Sequence, residues 1–270
     1  MIIDGHVHLV DPPHDEEKVV FNLADGSTAV PGMSRDVVTP GNLIASMDKN
    51  GIEKAVVMAL DICTNEYLSQ NVKRHEDRLL GFAWVDDPKD AQESIRQFEE
   101  AVGNLGLVGL KLHPDMQGFK ASDPEIVPLV RRAAELDVPV LIHSMQGFPG
   151  YFYYNLPWHI DVLNHRVPEA KIIVAHMFGY RFMDVITLAE RPNIYTETSW
   201  GLTAMAELHG LDFVNRFVRR IGVDNLIYGS DWVGSHGEME RQIELIRKLD
   251  LTREEKDKIL GENLFQILNL

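Results

Sequence analysis

The chain's 270 residues include 26 Lys and Arg against 41 Asp and Glu, a formal charge of −15, with 45% hydrophobic and 25% charged residues. That composition belongs to a globular protein with a sizeable core and excludes disorder. The acidic surplus repels phosphate backbones and anionic lipid, which excludes nucleic acid and membrane surfaces as partners.

Short apolar runs closed by turn or polar residues predict eight strands, at residues 2–8, 55–60, 80–85, 107–113, 138–144, 171–176, 193–199 and 225–231. After the first comes a long connection, residues 9–39, rich in Pro, Gly and Asp. Residues 42–49 then read as a helix with Leu43, Ile44 and Met47 on one face and Gly51 as its C-terminal cap. Pro88 opens a helix carrying Ile95, Phe98 and Val102 at helical spacing. Pro124 opens another, to Leu136, with Ile126, Leu129, Val130 and Ala133 facing inward. Residues 146–159 form an aromatic-rich connection with Phe148, Tyr151, Phe152, Tyr153, Tyr154 and Trp158, read either as a lid or pocket wall or as a subunit contact in a homo-oligomer. Thr252 and Glu255 make a capping box ahead of Ile259, Leu260 and Leu264, so the chain is expected to end in a helical hairpin packed on the rest.

Alternating strands and helices predict a parallel sheet whose natural closure is a (β/α)8 TIM barrel, one domain over residues 1–270 with a C-terminal helical extension. An open doubly wound sheet is the alternative, and it leaves His6 and His176 harder to bring together. Cys63 is the one cysteine, so no intrachain disulfide and no thiolate zinc motif is expected. Ile2-Ile3-Asp4 shows no basic-then-apolar leader, and no run of about 18 apolar residues exists to span a bilayer. The expectation is a cytoplasmic protein with a small-molecule substrate.

The chemistry lies at the strand ends. His6 and His8 stand two apart on a strand and so share a face, beside Asp4. His143, His176 and Asp231 each close a buried run. In a barrel these ends meet on one rim, where imidazole nitrogen and carboxylate oxygen suit zinc and similar ions. Alternation puts Gly109, Lys111 and His113 on one face of the fourth strand. Arg181 and Trp232 follow His176 and Asp231 closely, while Glu197 and Thr198 end the seventh strand as rim contacts or core hydrogen bonds.

Six segments carry a resemblance: Asp4-Gly5-His6-Val7-His8, Gly109-Leu110-Lys111-Leu112-His113-Pro114, Pro139-Val140-Leu141-Ile142-His143, Val174-Ala175-His176, Tyr228-Gly229-Ser230-Asp231 and Ile259-Leu260-Gly261-Glu262-Asn263. Spanning nearly the whole chain in order, they resemble the amidohydrolase superfamily, in its branch of metal-dependent hydrolases and nonoxidative aromatic decarboxylases. The resemblance implies that His6, His8, His143 and Asp231 bind one divalent ion, zinc by expectation. It also implies that His176 lies beside that ion as a hydrogen-bond donor or as a ligand of a second ion. Asp231 and His176 are then the catalytic pair, with Lys111, His113, Arg181 and Trp232 toward the substrate. Some relatives carry a carboxylated lysine on the fourth strand, a state open to Lys111. The segment His176-Met177-Phe178-Gly179 lacks the second glycine usual in the family, which bears on the shape of that loop.

The leading expectation is a hydrolase of a small amide, lactone or ester-like bond that uses metal-activated water. It is preferred because no arginine clamp stands at the strand ends. The alternatives are a metal-dependent decarboxylase of an aromatic or unsaturated carboxylic acid, and a noncatalytic metal-binding barrel.

Overall fold

The computed structural model describes residues 1–12, 21–23, 26, 28–29, 37–145, 153–234 and 238–270. The long connection that includes His14 thus falls largely outside the described residues, as do Phe148, Tyr151, Phe152 and His236. Eight parallel strands run in chain order round one sheet: β1 (Ile3–His8), β2 (Lys54–Met58), β3 (Leu79–Ala83), β4 (Gly109–Leu112), β5 (Val140–Ile142), β6 (Ile172–Val174), β7 (Ile194–Glu197) and β8 (Leu226–Ile227). The eighth meets the first through the chain that follows it. Gly5 N–H donates to Tyr228 O at 2.9 Å, Asp231 N–H to His6 O at 2.8 Å and His8 N–H to Trp232 O at 3.0 Å. The expected TIM barrel is therefore the fold, nearly closed, and each predicted strand overlaps an observed one.

Strand parity divides the apolar side chains into two layers. Val57, Leu110, Leu112, Val140 and Ile142 face outward against the helices. Val56, Met58, Phe82, Leu141, Ile173 and Ile227 fill the barrel, and Leu264, Ile267 and Leu268 of the last helical stretch close its floor. Each such fully buried aliphatic side chain is worth about 1.5–3 kcal/mol, so the C-terminal extension is part of the core.

Helix ends follow their capping chemistry. Thr39 caps α1 (Pro40–Asn50), and Gly51 ends it at φ 67°. The helix expected from Pro88 begins later, as α2 (Ala91–Gly103), because the Asp90 carboxylate accepts the Glu93 N–H at 3.1 Å and so fixes the first turn. The Thr252–Glu255 capping box is present and opens a helical run from Arg253 to Ile267 that contains one π turn, Lys258–Glu262. No helix among the described residues is long and apolar enough to cross a membrane.

Candidate active site

Buried polar groups from six strand ends crowd the rim. In β1 the register slips between Asp4 and Val7, a bulge, and the Asp4 carboxylate there accepts the His6 N–H at 3.2 Å and the Ser230 N–H at 2.9 Å. Asp4 thus ties β1 to the turn ahead of Asp231, while His6 and His8 both reach Asp231. His8 Nε2 lies 3.1 Å and His6 Nε2 3.7 Å from Asp231 Oδ1. Lys111, inward on β4 as alternation predicts, brings Nζ within 3.3 Å of His6 Nε2. On the far side His176 Nε2 is 3.1 Å from His143 Nδ1, and the His143 ring stacks on that of His113 at 3.8 Å.

Glu197, fully buried at the end of β7, joins these groups. Its carboxylate lies 3.0 Å from His6 Nδ1 and accepts the His176 N–H at 2.8 Å, the Ser199 N–H at 2.6 Å and the Ser199 hydroxyl at 2.6 Å. Gly229 leaves room for it, since a Cβ there would stand 2.6 Å from Glu197 Oε2. Gly229→Ala is expected to displace the carboxylate and weaken metal retention. Elemental analysis of the purified variant checks this, and full wild-type metal content would refute it.

Burial dominates the electrostatics. It holds His6, His113 and His143 well below the ordinary imidazole range, brings His176 down to about 4, and pulls the Lys111 ammonium down to about 8. Burial also pushes Glu197 up. At Asp231 burial acts the same way, but the His6 ring, the hydrogen bond from His8 and the His176 ring outweigh it and keep the carboxyl well below its usual range.

Three sets of donor atoms among the described residues fall within 4.8 Å of one another: His6, His8 and Asp231; His6, His176 and Glu197; and His113, Asp115 and His143. The first, two imidazoles and a carboxylate, is a donor set that zinc and similar divalent ions accept. His8 Nδ1 there is buried without a hydrogen-bond partner. The residues fit a divalent ion. His143, the fourth expected ligand, stands one ring away beside His176.

Asp115 is a member of the cluster that sequence reading missed. Buried two residues beyond His113, it takes the Asn155 amide on Oδ2 and leaves Oδ1 without a partner. Lys120 bonds the Tyr153 hydroxyl, and Ser122 Oγ lies 2.6 Å from His159 Nδ1. The described end of the aromatic stretch is thus fastened to the chain after β4, with Tyr153 and Trp158 themselves exposed. Burial lifts the Asp115 carboxyl to about 7. The folded chain then keeps a proton that the unfolded chain releases near pH 4, so this group's contribution to stability is fullest at low pH and is lost as pH rises toward 7. Asp115→Asn keeps an acceptor for Asn155 but cannot ionise. Wild type should therefore lose more stability than the variant between pH 5 and pH 8 in urea titrations, by about 2–3 kcal/mol. Equal slopes would refute the assignment.

Two expected substrate contacts are placed elsewhere. Arg181 is exposed and holds Asp184 at 2.9 Å across one helical turn, the ordinary fate of an arginine opening a helix. Trp232 pairs with Val7 and is buried with it in the layer between barrel and helices, because its parity is opposite to that of His6 and His8. The loop after His176 forms without the second glycine. His176, Met177 and Phe178 take left-handed φ of 58°, 51° and 58°, at about 1–2 kcal/mol each, and pack against Gly201, where a Cβ would stand 2.5 Å from His176 O.

A family model described as amidohydrolase matches residues 3–264. Among characterised proteins, a 2-amino-3-carboxymuconate-6-semialdehyde decarboxylase of Dictyostelium discoideum is 24% identical over 78% of this chain and 67% of its own length. A 2-keto-4-carboxy-3-hexenedioate hydratase of a Sphingobium strain is 22% identical over 87% of this chain and 84% of its own. Among solved structures, a dihydroxybenzoic acid decarboxylase from Polaromonas, with manganese and 2-nitroresorcinol bound, superposes with a TM-score of 0.73 at 17% identity, covering 100% of this chain and 97% of that one.

Proposed function

The chain belongs to the amidohydrolase family, and we propose that within it residues 1–270 form a metal-dependent nonoxidative decarboxylase of a small aromatic or unsaturated carboxylic acid. The observation that carries the reading is Lys111. Its ammonium is buried, and among the described residues its one hydrogen-bond partner is the imidazole of His6. An ammonium has three N–H donors, and one left short of acceptors in the interior calls for an anion. A substrate carboxylate answers that need. The preference for hydrolysis rested on the lack of an arginine clamp, and the buried lysine supplies the missing charge. The named substrates of the two curated relatives are themselves carboxylated, unsaturated small molecules.

His6, His8 and Asp231, with His143 as the fourth ligand, would hold a divalent ion, which would supply positive charge toward the substrate. Lys111 donates to the carboxylate and His113 lines the same face of β4. Asp231, ionised in the resting site, takes up one proton from solvent as substrate binds and gives it to the substrate carbon as the carbon–carbon bond breaks. Carbon dioxide departs, and the electron pair left on carbon accepts that proton. His176 orients the oxygen side of the substrate.

Two experiments test this. Elemental analysis should find about one equivalent of zinc or a similar ion per chain, the filling of one such site, and His6→Ala with His8→Ala should abolish it. A screen of hydroxybenzoates, lactones and small amides in ¹⁸O-labelled water should give a hit that releases carbon dioxide with no label in the organic product. A labelled product without carbon dioxide would establish hydrolysis instead.

A further inference from the structure

We infer that Glu197 sets the ring tautomers of three histidines at once, by one direct contact and one relay, and so decides which nitrogen each turns toward the metal site. Only the last consequence, that the His6 and His143 nitrogens are ligands, rests on the reading above.

The argument starts from donors that have no choice. Backbone N–H groups of His176 and Ser199 donate to opposite oxygens of Glu197, at 2.8 and 2.6 Å, so both oxygens are acceptors. The Ser199 hydroxyl, 2.6 Å from Oε1, gives its single proton to the carboxylate. Having given it, Ser199 Oγ can only accept from His176 Nδ1, 2.8 Å away. His176 therefore carries its proton on Nδ1. In the neutral ring with its proton on Nδ1, Nε2 carries the lone pair. That lone pair faces His143 Nδ1 at 3.1 Å, so His143 donates from Nδ1 and carries its own lone pair on Nε2. One carboxylate thus reaches His143 through a hydroxyl and a ring.

The direct branch has an independent check. His6 Nδ1 is 3.0 Å from Glu197 Oε1 and donates to it, which bares Nε2. Lys111 Nζ lies 3.3 Å from that same Nε2, and an ammonium offers donors only. Both contacts require the same tautomer. Among the described residues no hydrogen bond or ion pair joins His8 to Glu197 or Ser199, and it serves as the control ring.

Glu197 is on this account a positioning residue. It acts through histidines on three strand ends, in the way that outer carboxylates fix the tautomer of metal-bound imidazoles. Ser199→Ala cuts the relay and leaves the direct branch whole. His176 Nδ1–H is then left only with Glu197 Oε1 at 3.5 Å, too far for a good hydrogen bond. Its alternative tautomer donates from Nε2 to His143 Nδ1, which moves the His143 proton onto the nitrogen that faces a ligand.

The test is long-range ¹H–¹⁵N correlation of ring-labelled histidines in the full chain, metal-free and zinc-loaded, with zinc affinity measured by chelator competition. Metal-free wild type should show His6, His143 and His176 each as a single Nδ1–H form. In Ser199→Ala, His6 should be unchanged while His176 and His143 shift to the Nε2–H form or a mixture, and zinc affinity should fall by about 10–100-fold. In Glu197→Gln the His6 pattern should change as well. An Nε2–H form of His6 or His176 in wild type, or unchanged rings in Ser199→Ala, would overturn the relay. Correct tautomers in a wild type that takes up no zinc would support the relay and sink the metal site.

Discussion

Asp231→Asn should lower turnover by about 10²-fold or more, the scale for removal of a proton-transfer group, in a chain that stays folded. Asp231 holds a left-handed φ of 55°, a conformation that Asn tolerates and most residues do not. Its N–H bond to His6 O, one of the links that close the barrel, belongs to the backbone and survives. The Asn carbonyl can still accept from His8 Nε2, so what disappears is charge and basicity. Asp231→Ala would add backbone strain and confound the result. Steady-state turnover on the substrate found by carbon dioxide release, with thermal melts and metal content on the same preparations, measures the effect. Near wild-type turnover would move proton transfer to another group, His176 first.

The barrel and most of its cluster were legible because they rest on period. Inward parity alone predicts that Gly109, Lys111 and His113 share a face, and His6 and His8 both reach Asp231 although the β1 register slips between Asp4 and Val7. Legibility ended where period ended. Asp115 sits in a turn, where alternation gives no direction, and nothing at its position marks a buried carboxylate. Glu197 was visible only as a polar strand end. Its partners are fixed by the turn that brings Ser199 back onto it, which no spacing rule states. Trp232 was read toward the pocket from its nearness to Asp231 in sequence, whereas its bridge to Val7 turns it outward with that residue. Pro88 looked like a helix start, but a carboxylate two residues later caps better than a ring that only fixes φ.

The largest loss of stability is expected inside the barrel, at Phe82. It is fully buried among Met58, Leu141 and Ile173, and its strand partner in register is Gly109. The ring lies over that glycine, where an added Cβ would stand 2.5 Å from Phe82 Cδ1. Phe82→Ala should cost about 3–5 kcal/mol, for lost burial and the cavity left behind. Gly109→Ala should cost about 1–3 kcal/mol, because two groups then occupy one space in a packed interior. The two changes are not independent. With the ring gone, the Cβ at position 109 enters space that the cavity provides, so the double variant should be more stable than the sum of the singles implies, by about 0.5–3 kcal/mol. Urea unfolding of the four proteins measures the coupling. Strict additivity would mean that the ring and the glycine do not share that space, and that Gly109 is required for some reason other than Phe82.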